Sequence, residues 1–291
     1  MFNKMCIIGV GLIGGSIARA SRKKGLCSQI VGVGRDTKNL ERAVELGVIN
    51  SYSTDITSAV IGADIVVVCT PVGSFERIFS ALKQVWSSDC LYTDVGSTKE
   101  SVVKSLEAVF GVVPDNFVLA HPIAGSENNG VEASIDTLFD GKRTIITPLD
   151  KQTNSTFKES CSTWWQGMGA SVTEMTVQHH DEVLAATSHL PHVIAFALVE
   201  LLKNKEDEKE IFKFAAGGFK DFTRIASSNP EMWADICMAN SKQIVKLLNE
   251  YQKLNEHISS LIESSNKDGL CELFASAQAA REKFLTLQSR S

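Results

Sequence analysis

The chain has no CxxC pair. Its seven cysteines (6, 27, 69, 90, 161, 237 and 271) are scattered, mostly within apolar stretches such as residues 66–69. That excludes a disulfide framework and is the usage of a reducing compartment. Positive charge is not in excess either: 29 Lys and Arg against 34 Asp and Glu leave a formal charge of -5. Neither nucleic acid nor an anionic membrane is therefore expected as a partner, and an anionic small molecule would need a local basic pocket. The N-terminus lacks the basic, apolar and small-residue succession of a signal peptide, because residues 5–9 lead at once into a glycine motif. No run is read as approaching the roughly 20 apolar residues of a membrane span. Internal repeats and low-complexity segments are also missing, and the expected location is cytoplasmic.

What is present is alternation. At 291 residues the chain exceeds one average domain, so two domains are expected. Apolar β-type runs at 6–8, 30–33, 65–69, 91–94 and 117–120 are separated by helical patterns at 12–24, 39–46, 75–86 and 99–110. Such spacing argues for a parallel sheet covered on both faces, an α/β fold. Two later runs, 144–147 and 171–175, flank a helical stretch with Trp164 and Trp165 and are expected to extend the same sheet. From residue 177 the pattern becomes helical throughout, giving expected domains at 1–176 and 177–291. Within the second, Ile244, Tyr251 and Ile258 recur every seven residues, with Leu247, Leu254 and Leu261 three residues later. This a/d seam suits either packing within the chain or a homodimer interface.

The first apolar run ends in Gly9-Val-Gly11-Leu12-Ile13-Gly14, and a helical pattern follows. Gly9 permits a tight turn, Gly11 lets backbone approach a pyrophosphate, and Gly14 allows close helix–strand packing. Free N–H groups at the helix start then face the phosphates. Leu12 and Ile13 within the motif, and Thr70 and Pro71 after the run 65–69, complete the expected cofactor contacts. Where NAD enzymes usually place an acidic residue on the ribose, this chain has Gly34-Arg35-Asp36. Glycine there removes a repulsive carboxylate and Arg35 can pair with a 2′-phosphate, which favours NADP. A slightly different loop would bring Asp36 to the ribose and restore NAD.

The run from His121 to Glu127 follows another β-type run and sets an imidazole beside the Ser126 hydroxyl and the Glu127 carboxylate. Ligands of open α/β sheets collect at strand C-terminal ends, so His121 is a candidate base there. The segment from Thr93 to Lys99 also ends a strand and offers Ser97. Later segments bring His189, His192, Arg224 and Trp233. A metal site among His179, His180, His189 and His192 is not expected, because no thiolate or carboxylate stands beside them at a recognised ligand spacing.

In order, GVGLIGGS, DVGSTK, HPIAGSENNGVEAS, HHDEVLAATSHLPH, AAGGFKDFTRIA and NPEMW span nearly the whole chain. With these motifs the sequence resembles the prephenate and arogenate (cyclohexadienyl) dehydrogenase family of tyrosine biosynthesis. The resemblance implies a Rossmann-type domain joined to an all-helical dimerisation domain. It also implies oxidative decarboxylation of prephenate to 4-hydroxyphenylpyruvate, of arogenate to tyrosine, or both, with hydride passing to NADP or NAD. His121 would be the catalytic base and Ser97 its neighbour at the reacting hydroxyl. Arg224 would bind a substrate carboxylate, and Ser126, Glu127 and His192 would surround the side chain. His189 would support the site, and Trp233 would approach from the partner subunit. A single-function form without mutase or regulatory segments is expected. Two rival readings are a β-hydroxyacid or imine reductase, against which HPIAGSE argues, and a non-catalytic dinucleotide sensor.

Overall fold

Strand β1 (Phe2–Ile8) turns Met5 and Ile7 to one apolar cluster and Cys6 and Ile8 to another, and all four side chains are buried. A strand apolar on both faces belongs in the middle of a covered parallel sheet. A computed structural model, describing residues 2–126, 128–150 and 152–288, places it there. After β1 come α1 (Leu12–Lys23), β2 (Cys27–Val33), α2 (Thr37–Glu45), β3 (Ser51–Ser53), α3 (Ile56–Val60), β4 (Ile65–Val68), α4 (Phe75–Lys83), β5 (Leu91–Asp94), α5 (Glu100–Phe110) and β6 (Phe117–Val118). The sheet runs β3-β2-β1-β4-β5-β6, with every pairing parallel. Strand order reverses between β1 and β4, so a crevice opens at their C-terminal ends, the ligand position of a doubly wound sheet.

The expectation that 144–147 and 171–175 extend this sheet is corrected. Residues Ala120–Pro122 form β7, which pairs antiparallel with β8 (Arg143–Ile146); β8 pairs parallel with β9 (Ser171–Glu174), and the three make a separate sheet. The cause lies at the end of β5. The Ala120 N–H donates to the Asp94 carboxylate at 3.2 Å instead of continuing the β5–β6 ladder, which stops after two residue pairs. Beyond Leu119 the strand is free to take a new partner. Helix α6 (Ser155–Gly167) then buries Trp164 and Trp165 in the cluster that also holds Met5 and Ile7.

Helix α7 (Val177–Leu184) runs through a π turn (Ala185–His189) into α8 (Leu190–Lys203). Pro191 explains the turn: it lacks an N–H and its ring crowds the preceding turn, so the helix widens by one residue there. Contrary to the sequence expectation, Val177–Lys203 is long and apolar enough by length and composition to cross a membrane. Its buried His180, Asp181 and His189 are instead tied by hydrogen bonds into the chain's own core, as the next section describes. Short helices α9 (Glu208–Lys213) and α10 (Gly217–Thr223) lead to α11 (Pro230–Ala239), capped by the Asn229 side chain.

Residues Met1–Gln243 form one compact unit and Ile244–Ser291 a second, the division falling inside α12 (Ser241–Glu263). In the second unit the chain reverses at Ser265, and Asn266 caps α13 (Lys267–Gln288) by accepting from Gly269 N. Of the heptad seam, Ile244 is buried, whereas Tyr251 is 37% and Leu254 44% exposed; Phe274 on α13 is 54% exposed.

Candidate active site

The glycine turn is built as its spacing requires. Gly9 has φ +101°, and a Cβ there would lie 2.9 Å from the Cys69 carbonyl carbon. A Cβ at Gly14 would come within 2.1 Å of the Gly9 oxygen, which fixes how closely α1 packs on β1. Gly11 faces open space, and no side chain caps the first turn of α1, so its N–H groups remain available to an anion. Gly9 and Gly11 line a cleft of about 820 Å³ with Gly34, Arg35, Asp36, Thr70 and Pro71. Leu12 and Ile13 stand half-buried in the first turn of α1, outside that lining, and Gly14 is buried beneath it. Asp36 caps α2, one carboxylate oxygen accepting from Lys38 N at 3.0 Å and Asn39 N at 3.3 Å. Volume, glycine geometry and open helix terminus fit a dinucleotide.

Past the C-terminal end of β6, His121 on β7 begins a chain of three side chains. His121 Nδ1 lies 2.9 Å from His180 Nε2, and His180 Nδ1 lies 2.7 Å from Asp181 Oδ1. Asp181 also accepts from the backbone N–H groups of Lys99 at 2.8 Å and Glu100 at 2.9 Å, the open start of α5. Burial pushes the Asp181 carboxyl up, but the His180 hydrogen bond and these N–H groups outweigh it and hold it below its ordinary value. An ionised carboxylate only accepts, so His180 carries its proton on Nδ1 and accepts on Nε2. His121 must then donate from Nδ1, leaving a lone pair on Nε2. Burial, followed by electrostatic opposition from the neighbouring His180 and Lys99 to a further proton, lowers the His121 pKa well below the usual imidazole value, so the ring is neutral at pH 7.

Below this relay lies a fully buried ion pair. Lys99 Nζ contacts Asp94 Oδ2 and donates to the Ala120 carbonyl at 2.7 Å, while Asp94 also accepts from Gly96 N and Ala120 N. The pair therefore clamps both sides of the residue before His121.

The remaining sequence candidates fall into two groups. His189, His192 and Trp233 come together: His192 stacks on Trp233 with ring centroids 3.7 Å apart, and His189 meets the same indole edge-on at 6.1 Å. Trp233, expected from the partner subunit, thus sits in its own chain's cluster, because α11 packs against α8 neighbours through this stack. His189 is bound to Asn240, burial lowers it to about 4, and the half-buried Ser97 presents its main chain to that ring. Arg224 is exposed and its charge acts on His192. Ser126, by contrast, is exposed and only accepts from Asn128 N within its own turn, while Glu127 lies outside the described residues. Sequence reasoning missed Asp94, Lys99, Asp181 and Asn240 altogether and weighed His180 only as a metal ligand; the adjacency of His180 and Asp181 was the available signal.

A glycine turn opening on a dinucleotide-sized cleft, in a compact unit that also holds an oriented neutral imidazole, defines a dinucleotide-dependent dehydrogenase. The family model of the prephenate dehydrogenase nucleotide-binding domain matches residues 17–174, and that of the prephenate dehydrogenase dimerization domain matches 176–276. The chain belongs to the prephenate dehydrogenase family. It is 35% identical over 288 residues to a cyclohexadienyl dehydrogenase of Zymomonas mobilis, covering 97% of this chain and 96% of that one. A Bacillus subtilis prephenate dehydrogenase is also 35% identical, over 97% of this chain and 76% of its own length. Among solved structures, A. aeolicus prephenate dehydrogenase in complex with hydroxyphenyl propionate and NAD+ superposes with TM-score 0.90 at 36% identity, covering 98% of this chain and 99% of that one.

Proposed function

We propose that this chain oxidatively decarboxylates prephenate, arogenate or both in the cytoplasm, with His121 as general base. The observation that carries this reading is the His121–His180–Asp181 chain, which leaves a lone pair on Nε2 of a neutral His121. Loss of hydride from C4 of the ring is eased when the 4-hydroxyl gives up its proton at the same time, and Nε2 takes it. A nicotinamide bound in the cleft would supply hydride acceptance. Ser97 holds the hydroxyl in line, and the stacked His192–Trp233 pair forms an apolar wall beside the ring. Departure of the ring carboxylate as carbon dioxide completes aromatisation and makes the reaction irreversible. All seven cysteines are free, which supports a reducing cytoplasmic location.

Arg224 binds a substrate carboxylate in ground and transition states alike. Arg224→Ala should accordingly raise KM with little change in kcat; a large fall in kcat at unchanged KM would assign Arg224 to the chemical step.

NADP is the preferred cofactor. Gly34 offers no carboxylate, and Asp36 is engaged in capping α2, whereas Arg35 faces the cleft. Steady-state rates with prephenate and arogenate against both cofactors test substrate and cofactor together, and a better kcat/KM with NAD would overturn the preference. Gly34→Asp combined with Arg35→Gln should shift the preference towards NAD.

The working unit is a homodimer, supported by apolar side chains left exposed along α12 and α13 and by the matched dimerization domain. Leu254→Asp with Ile258→Asp should lower assembly and activity together. Sedimentation showing a fully active monomer at assay concentration would reject the link.

A further inference from the structure

The cofactor cleft contains a second cation that no sequence motif pointed to. Arg77, on the outer face of α4, lines the same cavity as Arg35. The apolar face of that helix, Phe75, Ile78, Phe79 and Leu82, is buried, so α4 is locked in rotation and Arg77 is held towards the cleft side. Among the described residues neither guanidinium has a hydrogen-bond or ion-pair partner, although arginines elsewhere, such as Arg42 with Glu132, do. Three carboxylates share the cavity: Asp36, Glu231 and Asp235. Asp36 is occupied as the α2 cap. Asp235 lies against Gly73, where a Cβ would be 2.5 Å from its Oδ2, at the turn that precedes α4. With more acidic than basic groups in the cavity, net charge does not attract an anion; placement of the two guanidiniums must do so.

We infer that Arg35 and Arg77 together form a two-sided clamp for the 2′-phosphate of an adenosine dinucleotide, with Thr54 on the wall of the same cavity. The chemistry suits the group. A phosphate monoester offers three strongly accepting oxygens, and two planar guanidiniums approaching from different elements satisfy them in a way a single one does not. The clamp rests on the NADP reading above and makes it specific: a residue on α4, far in sequence from the Gly34–Asp36 turn, sets cofactor choice alongside it.

The test uses adenosine 2′,5′-bisphosphate and AMP as probes, titrated calorimetrically into the full-length protein, so that turnover is not the readout. The wild type should bind the bisphosphate at least about 10-fold more tightly than AMP, as expected for charge-assisted hydrogen bonds. Arg77→Ala should remove about 10-fold of bisphosphate affinity, leave AMP unchanged and keep the thermal midpoint; Arg77→Lys should recover part of the loss. If the wild type does not discriminate the two ligands, the NADP reading fails and the clamp with it. If Arg35→Ala abolishes discrimination and Arg77→Ala does not, the clamp alone is overturned. Equal losses for both ligands in Arg77→Ala would also overturn it, assigning the side chain to the adenine or its ribose.

Discussion

His121→Asn should lower kcat by about 10²- to 10⁴-fold while leaving dinucleotide affinity intact, the range that general-base catalysis contributes. Asparagine can still hydrogen-bond to His180 but cannot take a proton from the substrate hydroxyl. Near-normal kcat in this variant, with chemistry shown to be rate-limiting, would exclude His121 as the base. The same geometry sets a pH dependence. Because burial first, and then opposition from the neighbouring His180 and Lys99 to a further proton, depress the His121 pKa, the catalytic lone pair should survive acidification beyond the ordinary histidine range. The acid limb of kcat/KM should therefore fall below about pH 6.5, the unperturbed value. Stability follows the same sign. His121, His180 and His189 all have folded-state values below the unfolded one, so the unfolded chain binds more protons and their contribution is complete above about pH 6.5. It is lost as pH falls, for His189 down to about 4.

Asp94→Ala should destabilise the fold by about 3–5 kcal/mol, the cost of removing one partner of a buried pair and leaving the other charge uncompensated. Lys99 is fully buried with its Nζ on Asp94 and on the Ala120 carbonyl, and no solvent can replace the lost carboxylate. Urea unfolding with an unchanged m-value and a much lower midpoint is the expected result. A change below about 1 kcal/mol would mean that Lys99 had lost its proton or rotated out. Because the pair brackets the residue before His121, the folded fraction of the variant should also show reduced kcat.

The cofactor half of the site was legible because its chemistry is local: a turn, a strand end and a helix start lie within six residues of one another, and glycine geometry is readable from spacing alone. The relay was not. His121 and His180 are 59 residues apart, and Lys99 N reaches Asp181 across 82; a single sequence carries no sign that such groups meet. The second sheet was misplaced for a related reason. Periodicity marks 144–147 and 171–175 as strands, but partner choice was decided by one carboxylate, Asp94, taking the Ala120 N–H. The contact of Trp233 with His192 and His189 of its own chain was equally hidden, because a motif names a residue without saying what it packs against.

The π turn at Ala185–His189 gives the long helix a rotational phase. A regular helix advances about 100° per residue, so the single extra residue absorbed there turns everything beyond it by roughly that angle. Upstream, His180 and Asp181 face the relay; downstream, His192 faces Trp233. The two faces are independently indexed on one continuous rod. Deleting one residue between 185 and 189 would leave helix length nearly unchanged and every active-site side chain present, yet swing His192 away from the indole. Insertions and deletions in this segment thus act as a dial on substrate-side geometry that leaves the proton relay where it is.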